Sequence, residues 1–413
     1  MDGRERRGLE ILMQQHTKIR RTTAGWFVPS QSGYGKYAVT ITADRQTCTC
    51  PDHEVTGQRC KHIWCVEHVL QQTFHFEGEQ VTETLRVTKT VRTTYPQRWR
   101  EYNAAQTGEK AEFLTLLRDL CGGIADAQPA RPGRPRLPLS DVIFSAVFKV
   151  YSTLSGRRFM TDLRDAHARG MLTKVPHYNS IFNYLESADL TPVLYDLIAR
   201  SSLPLRAVER DFAVDSTGFS TSKFTRWFDQ KYGKEQARHD WVKVHVMSGV
   251  KTNVVTAVEI QDKNAADSPQ LPYLVETTAE NFKIGDVSAD RAYVGIENMH
   301  TIYAVGGEPF IAFKRSNTGA SGGALEKAFH YFMYRREEFL QHYHKRSNVE
   351  STFSMVKRKF GDALRSKTPT AMVNEALCKL LCHNLVVLIH EAHELGVAPI
   401  FGGNGTAAQQ LPA

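Results

Sequence analysis

Long apolar runs are missing from this chain of 413 residues, 41% hydrophobic and 23% charged. Nowhere do about 18 apolar residues follow one another, the length a membrane-spanning helix needs. The greasiest stretch, Leu385 to Ile389, is bracketed by His383, Asn384, His390 and Glu391, so no membrane partner is expected. Residues 1–7 are charged with no apolar segment behind them, and a secretory leader is not expected either. No internal repeat and no Walker motif is found. Cysteine is sparse: seven residues, an odd total, with Cys48, Cys50, Cys60 and Cys65 crowded together. A chain this long needs no covalent staples, so a disulfide framework is a poor explanation and a metal site in a reducing compartment a better one. What is present is enough apolar residue for two or three domains and a basic excess, 52 Lys+Arg against 44 Asp+Glu, that favours a polyanionic partner.

Texture divides the chain. Trp26-Phe27-Val28 and Tyr37, Val39 and Ile41 read as a hairpin across residues 26–42, followed at once by the cysteines. Residues 71–95 are Thr- and charge-rich and read as a connector; a helix is expected from Pro96, with Phe113, Leu116, Leu117 and Leu120 on one side and Gly122-Gly123 at its end. The acid-free linker 128–138 carries Gly133-Arg134-Pro135-Arg136, which resembles the core of the AT-hook and makes Arg134 and Arg136 candidates for the minor groove; a proline-rich spacer reads the same way. Residues 140–200 are helical, fitting either a helix-turn-helix or plain bundle packing, with a cap at His177-Tyr178-Asn179-Ser180.

From Arg210 short β-rich runs appear at 212–215, 242–246 and 254–260, then a helix from Asp267-Ser268-Pro269 with Asp267 as its cap. A strand at 286–290, a helix near 296–305, a strand at 310–313 and a long helix over 345–362 complete the series. The expected class is α/β, and the order β-β-β-α-β-α-β-α is that of an RNase H-like mixed sheet, preceded by a helical region and a small ββα zinc module. The expected divisions are 1–75, 76–138, 139–205, 206–398 and a mobile tail, 399–413.

Cys48-x-Cys50 and Cys60-x-His62 supply three thiolates and an imidazole, enough to close a tetrahedral structural zinc shell; His53 and Cys65 are near enough to compete. The pattern resembles the SWIM zinc finger over about Trp26 to Gln72, a resemblance that implies a binding role toward DNA or protein. Lys61, Arg59 and Arg45 lean towards DNA.

Asp215 lies near the end of the first β run and Asp290 at the end of the fourth, strands that neighbour each other in an RNase H-like sheet. Oxygen ligands of this kind suit hard divalent cations. Glu350, on the last helix, is the third carboxylate: at 100° per residue Arg346 and Lys357 share its face, Tyr343 falls on the other side, and Val349, Phe353, Val356, Phe360 and Leu364 form the adjoining apolar stripe. Asp286 and Asp262 are the nearest alternatives. Asp215, Asp290 and Glu350 resemble the DDE triad of insertion-sequence transposases, and Tyr343, Arg346, Glu350 and Lys357 match the Y-REK signature of the branch related to the fourth insertion sequence. Only 59 residues separate Asp290 from Glu350, so the large β-rich insertion of some members is not expected.

The resemblance implies two Mg2+ or Mn2+ ions held by the triad, and DNA contacts from Arg346, Lys357 and Tyr343. It also implies a homodimer on paired DNA ends, in the cytoplasm at the nucleoid. A net charge of +5 between Tyr343 and Lys367 agrees with a DNA track. Lys314 and Arg315 are further DNA candidates, whereas Arg358 and Lys359 read as solvated surface and His245 as packed. A nuclease or resolvase of the same fold, and a domesticated DNA-binding regulator with a silent site, are the competing readings.

Overall fold

The computed structural model describes residues 3–31, 35–42, 45–71, 74–77, 80–83, 98–124, 136–221, 241–314 and 322–401. Arg134, Arg315, most of the 71–95 connector and nearly all of the expected tail lie outside them. The chain forms two compact units, Met1–Tyr95 and Pro96–Ala413.

In the first unit, α1 (Gly3–Gln15) precedes a four-stranded antiparallel meander, β1 (Arg20–Thr22), β2 (Gly25–Pro29), β3 (Lys36–Ile41) and β4 (Gln46–Cys48). Next come α2 (Pro51–Thr56), α3 (Lys61–Gln71) and the hairpin β5 (Phe74–Glu77) and β6 (Gln80–Glu83). The expected hairpin is β2–β3, with Trp26 opposite Val39. The unit is larger than a ββα module, because α1 adds Ile11 to the core and β1 and β4 widen the sheet. Alternation sends Val28, Val39 and Cys48 inward against Ile63, Cys65 and Val66 of α3. Gly25 turns the chain between β1 and β2 at φ 142°, and a Cβ there would meet the Val39 carbonyl oxygen at 2.4 Å, so only glycine fits.

The second unit opens with helices α4 (Trp99–Gly122), α5 (Leu139–Ser152), α6 (Gly156–Ala168), α7 (Tyr178–Leu185) and α8 (Leu190–Ser202). A five-stranded sheet follows: β7 (Phe212–Ser220), β8 (Trp241–Gly249), β9 (Val255–Gln261), β10 (Asp286–Ala289) and β11 (Glu308–Ile311). Interleaved are α9 (Leu271–Ala279) and α10 (Ile296–Ala304), and after the sheet come α11 (Gly323–Tyr334), α12 (Arg336–Tyr343), α13 (Ser347–Phe360) and α14 (Pro369–Leu395). The strand order is β11-β10-β7-β8-β9; the β7–β8 and β8–β9 pairs are antiparallel, and β10 and β11 run parallel to β7. Each β run expected between 212 and 313 is a strand. Among the described residues the interval between Asp290 and Glu350 holds only β11 and helices.

The sheet is covered on both faces, which is why β7 is apolar at successive positions. Ala213 and Phe219 join one core with α4 to α8, α13 and α14, whereas Phe212 and Val214 join a second with α9, α10 and α11. The helical region packs as a bundle within the first core: Phe113, Leu117 and Leu120 of α4 are buried there, and His177 caps α7 by accepting the Asn179 N–H at 3.3 Å. Helix α14 is long and apolar enough to cross a membrane, but 89% of its apolar window is buried inside the unit. Its polar residues fix it there. The Asn384 amide accepts the Val255 N–H at 2.8 Å and donates to the Val255 carbonyl at 2.7 Å, pairing α14 with the free edge of β9.

Two local expectations differ. Asp267 does not cap its helix; it has helical dihedrals and makes no cap bond, because its carboxylate is drawn to Lys243 and Ser216. The helix over 345–362 is preceded by a separate 3-10 turn, His344–Arg346, and α13 proper begins at Ser347.

Candidate functional site

Strand parity gathers the carboxylates. Ala213 faces the α13 side, so Asp215 and Thr217 do too. On β10, Val287 and Ala289 face the second core, which turns Ser288 and Asp290 to the α13 side. Ala289 stands opposite Val214 in the parallel pair, placing Asp290 beside Asp215. Asp215 is not at the strand end, as β7 runs on to Ser220. Asp290 leaves β10 and caps the 3-10 turn Arg291–Tyr293 through Ala292 N–H.

Glu350 sits in the first turn of α13, over the same face, and Arg346 ties the site together. Its guanidinium donates to Asp215 Oδ2 at 3.3 Å and to Glu350 Oε1 at 2.8 Å. The buried stripe of α13, Val349, Phe353, Val356 and Phe360 with Leu364 beyond it, presses this helix on the sheet as expected. Its far end is pinned where Ser220 N–H bonds Asp362 O and Leu364 N–H bonds Ser220 O. Burial pushes the Asp215 carboxyl up; the Ser216 N–H and Arg346 oppose that, and the charges of Asp290 and Glu350 add to it. Asp290 and Glu350 therefore both act electrostatically on Asp215. Their oxygens are not drawn together as tightly as the cysteine cluster described below.

The signature residues fall around this point. Lys357 donates to Thr217 Oγ1 at 2.6 Å and lies 5.6 Å from the Phe219 ring centre; burial lowers its pKa. Tyr343, half-buried at the end of α12, stacks against Phe339. Asp286 is accounted for structurally: Lys345 Nζ bonds both Asp286 and Asp211 at 2.7 Å, and His342 Nδ1 lies 2.5 Å from Asp286. Asp262 follows β9, at the far edge of the sheet.

The basic track is thinner than the sequence implied. Lys345 is paired as above, Lys359 is exposed as expected but pairs with the buried Glu109, and Arg365 bonds the Thr153 and Leu154 carbonyls. Arg358 and Lys367 are exposed with no partner among the described residues. Lys314 is exposed beyond β11. Arg136 lines a cavity of about 460 Å³ with Lys174, His177 and Tyr184, between the start of α5 and α7.

A polar network behind Asp215 had no signal in the sequence. On the opposite face of β7 and β8, Asp267 Oδ1 takes Lys243 Nζ at 2.7 Å and Ser216 Oγ at 3.0 Å, with His245 Nδ1 at 3.5 Å. His245 is fully buried, as expected of a packed residue, and lies 3.5 Å from the Tyr293 hydroxyl. These residues are scattered over 51 positions and meet only through strand register.

In the first unit the ligand atoms of Cys48, Cys50, Cys60 and His62 all lie within 4.8 Å of one another, and all four residues are buried. His62 Nδ1 is 3.8 Å from Cys48 Sγ and 3.9 Å from Cys60 Sγ, while its Nε2 is buried without a partner. Cys60 is pushed down to about 3, first by the hydrogen bond from Cys48. The competitors are placed elsewhere. His53 Nδ1 bonds the Gln58 carbonyl, and Cys65 stays apart from the cluster with its thiol pushed up to about 12 by burial.

The family described as Transposase DDE domain matches residues 206–385. No curated protein matches the chain. Among solved structures it is similar to a piggyBac transposase in a synaptic complex with hairpin DNA, at 10% identity over 76% of this chain and 78% of that one; the TM-score of 0.33 carries no argument. The family match starts just before β7 and reaches into α14, so the segment that is similar to the Transposase DDE domain contains Asp215, Asp290 and Glu350.

Proposed function

We propose that the chain is a DNA transposase of RNase H-like fold, with Asp215, Asp290 and Glu350 as the catalytic carboxylates. The observation that carries this reading is their convergence on one face of β7, β10 and α13, with Arg346 bonded to two of them. An all-oxygen donor set with three negative charges suits two hard cations, Mg2+ or Mn2+. Such ions, when bound, supply a nucleophile at neutral pH and stabilise charge on the departing oxygen. The carboxylates of Asp215, Asp290 and Glu350 would hold the ions. Arg346 and Lys357 would bind the phosphates flanking the cut, Tyr343 would stack on the terminal nucleotide, and Arg134 and Arg136 would contact DNA ahead of the helical region 139–205. The cleaved 3'-OH would then attack target DNA at the same site.

Cys48, Cys50, Cys60 and His62 would hold a structural zinc ion in a SWIM-type module. Their fit rests on the geometry above: a tetrahedron with Zn–S bonds of about 2.3 Å sets its ligand atoms under about 4 Å apart. A homodimer on paired ends and a cytoplasmic, nucleoid-associated location go with this reading.

The test compares wild type with Glu350→Gln in a plasmid end-cleavage and transposition assay, beside a gel shift on the same DNA. Cleavage should be lost with binding retained. Unchanged cleavage would remove Glu350 from the site.

A further inference from the structure

The sequence left the partner of the zinc unit open between DNA and protein, and the outward face of its sheet bears on that choice. Register places Phe27 between Arg20 and Ala38, with Thr22 opposite Gly25, Lys36 opposite Pro29 and Thr40 opposite Thr47. These residues share one face; Trp26, Val28, Tyr37, Val39 and Cys48 share the other, which packs on the core. Phe27 is the aromatic residue of this sheet that does not pack against that core. It is half-buried by its neighbours on the outer face, and the exposed Lys36 ammonium lies 4.6 Å from its ring centre. None of the four strands contains an Asp or Glu. Arg20 and Lys36 are exposed and form no salt bridge among the described residues. Among the described residues the rest of the face is Gly, Ala, Thr and the buried Pro29, with no side chain larger than threonine or proline apart from the two cations.

Four acid-free strands with a half-buried aromatic ring between exposed cations have the chemistry of a surface for unpaired bases. Any base offers a π-face to the ring, and the cations follow the backbone. Duplex DNA hides its base faces in the stack and cannot use the ring. A protein partner would have to bury Arg20 and Lys36 against acids of its own and would gain little from a face made of Thr and Gly. The geometry points to single-stranded DNA, bound across β1 to β4 with Phe27 stacked on a base and Arg20 and Lys36 on adjacent phosphates. Lys36 leaves the ring as the base arrives, since an exposed contact of that kind is weak. The choice of DNA over RNA rests on the transposase reading; the surface itself does not.

The test is fluorescence anisotropy of the full-length protein, in zinc-containing buffer free of magnesium, on a labelled single-stranded DNA oligonucleotide, its duplex and its RNA counterpart over a salt series. Phe27→Ala should weaken single-strand binding by about 5- to 150-fold, the range of one lost base stack, and leave duplex binding unchanged. Phe27→Trp should keep the affinity. Arg20→Ser with Lys36→Ser should flatten the slope of log K against log salt by about 0.7 per cation. Zinc content equal to wild type certifies the fold of each variant. Unchanged single-strand affinity in Phe27→Ala, an equal loss on duplex, or tighter binding of RNA than of DNA would overturn the proposal. Failure of the triad is read by end cleavage in Glu350→Gln and failure of this surface by single-strand affinity in Phe27→Ala, so the two are read separately.

Discussion

Removing the metal from the first unit should unfold that unit while the second stays intact. Its core is small. Five aliphatic side chains, Ile11, Val28, Val39, Ile63 and Val66, are fully buried beside the cysteines, with Leu12, Ile19, Trp26, Tyr37, Ile41 and Leu70 only partly buried against them. At about 1.5–3 kcal/mol each, those five contribute about 8–15 kcal/mol. Structural zinc in a small module contributes about 10–16 kcal/mol at neutral pH, so losing the ion withdraws as much as the five fully buried side chains supply. Cys60→Ser is the sharpest perturbation, because Cys60 contacts His62 and is the thiol most readily ionised. The assay is metal analysis together with amide hydrogen exchange, comparing Lys61–Gln71 with Pro369–Leu395 in wild type, in Cys60→Ser and after chelation. Zinc should be stoichiometric in wild type alone. Protection should vanish in the first helix and persist in the second. Full protection of Lys61–Gln71 in metal-free protein would mean that the four residues are ordinary buried groups and that the energetic argument fails.

Two buried histidines should make the second unit acid-sensitive. His245 and His383 are both buried and held down to about 4, chiefly by burial. The unfolded chain takes up these protons first, so their stabilisation is complete above about pH 6.5 and is lost as pH falls towards 4, by roughly 3 kcal/mol each; the half-buried Glu391 carboxyl, raised to about 7, acts in the opposite direction, so urea midpoints across that range should fall less with acid in a variant with His383→Gln and His245→Gln than in wild type. Arg346→Gln should reduce end cleavage and flatten the salt dependence of duplex binding by about 0.9; an unchanged slope counts against a phosphate contact. Asp267→Ala leaves Lys243 with only the Ala265 carbonyl and removes the acceptor of Ser216, and should cost about 1.5–3 kcal/mol, measured by denaturant unfolding, with a larger loss of cleavage than of DNA binding.

Legibility followed the range of the signal. Strands β7 to β11 could be read because each is a short β-branched run between turn residues, and the stripe from Val349 to Leu364 because a packed helix needs one. Cys48, Cys50, Cys60 and His62 could be read because their ligand spacing is local. Strand register is not local. Nothing around Asp267 announced that Lys243, His245 and Ser216 would converge on it, and its position before Ser268-Pro269 pointed to a helix cap, a role that a nearby ammonium overrode. The extent of the first unit's sheet was hidden for a simpler reason: β1 is three polar residues, Arg20–Thr22, with no apolar alternation to detect.

Charge was the feature most altered by the fold. A net of +5 between Tyr343 and Lys367 suggested a continuous basic track. Lys345 and Lys359 answer carboxylates on other elements, Arg365 answers main-chain carbonyls, and Arg346 spans two of the triad carboxylates. A cation bonded to a buried carboxylate adds little to the outer field, since the pair is nearly neutral at a distance. The field available to DNA near Glu350 therefore comes from fewer groups, Arg358 and Lys367 among them, together with whatever Arg346 gains when cations take over the neutralisation of Asp215 and Glu350. A metal ion and a DNA phosphate would then bind there cooperatively. The ion would satisfy the carboxylates that Arg346 otherwise serves, and the freed guanidinium would be available to a phosphate as a bidentate partner.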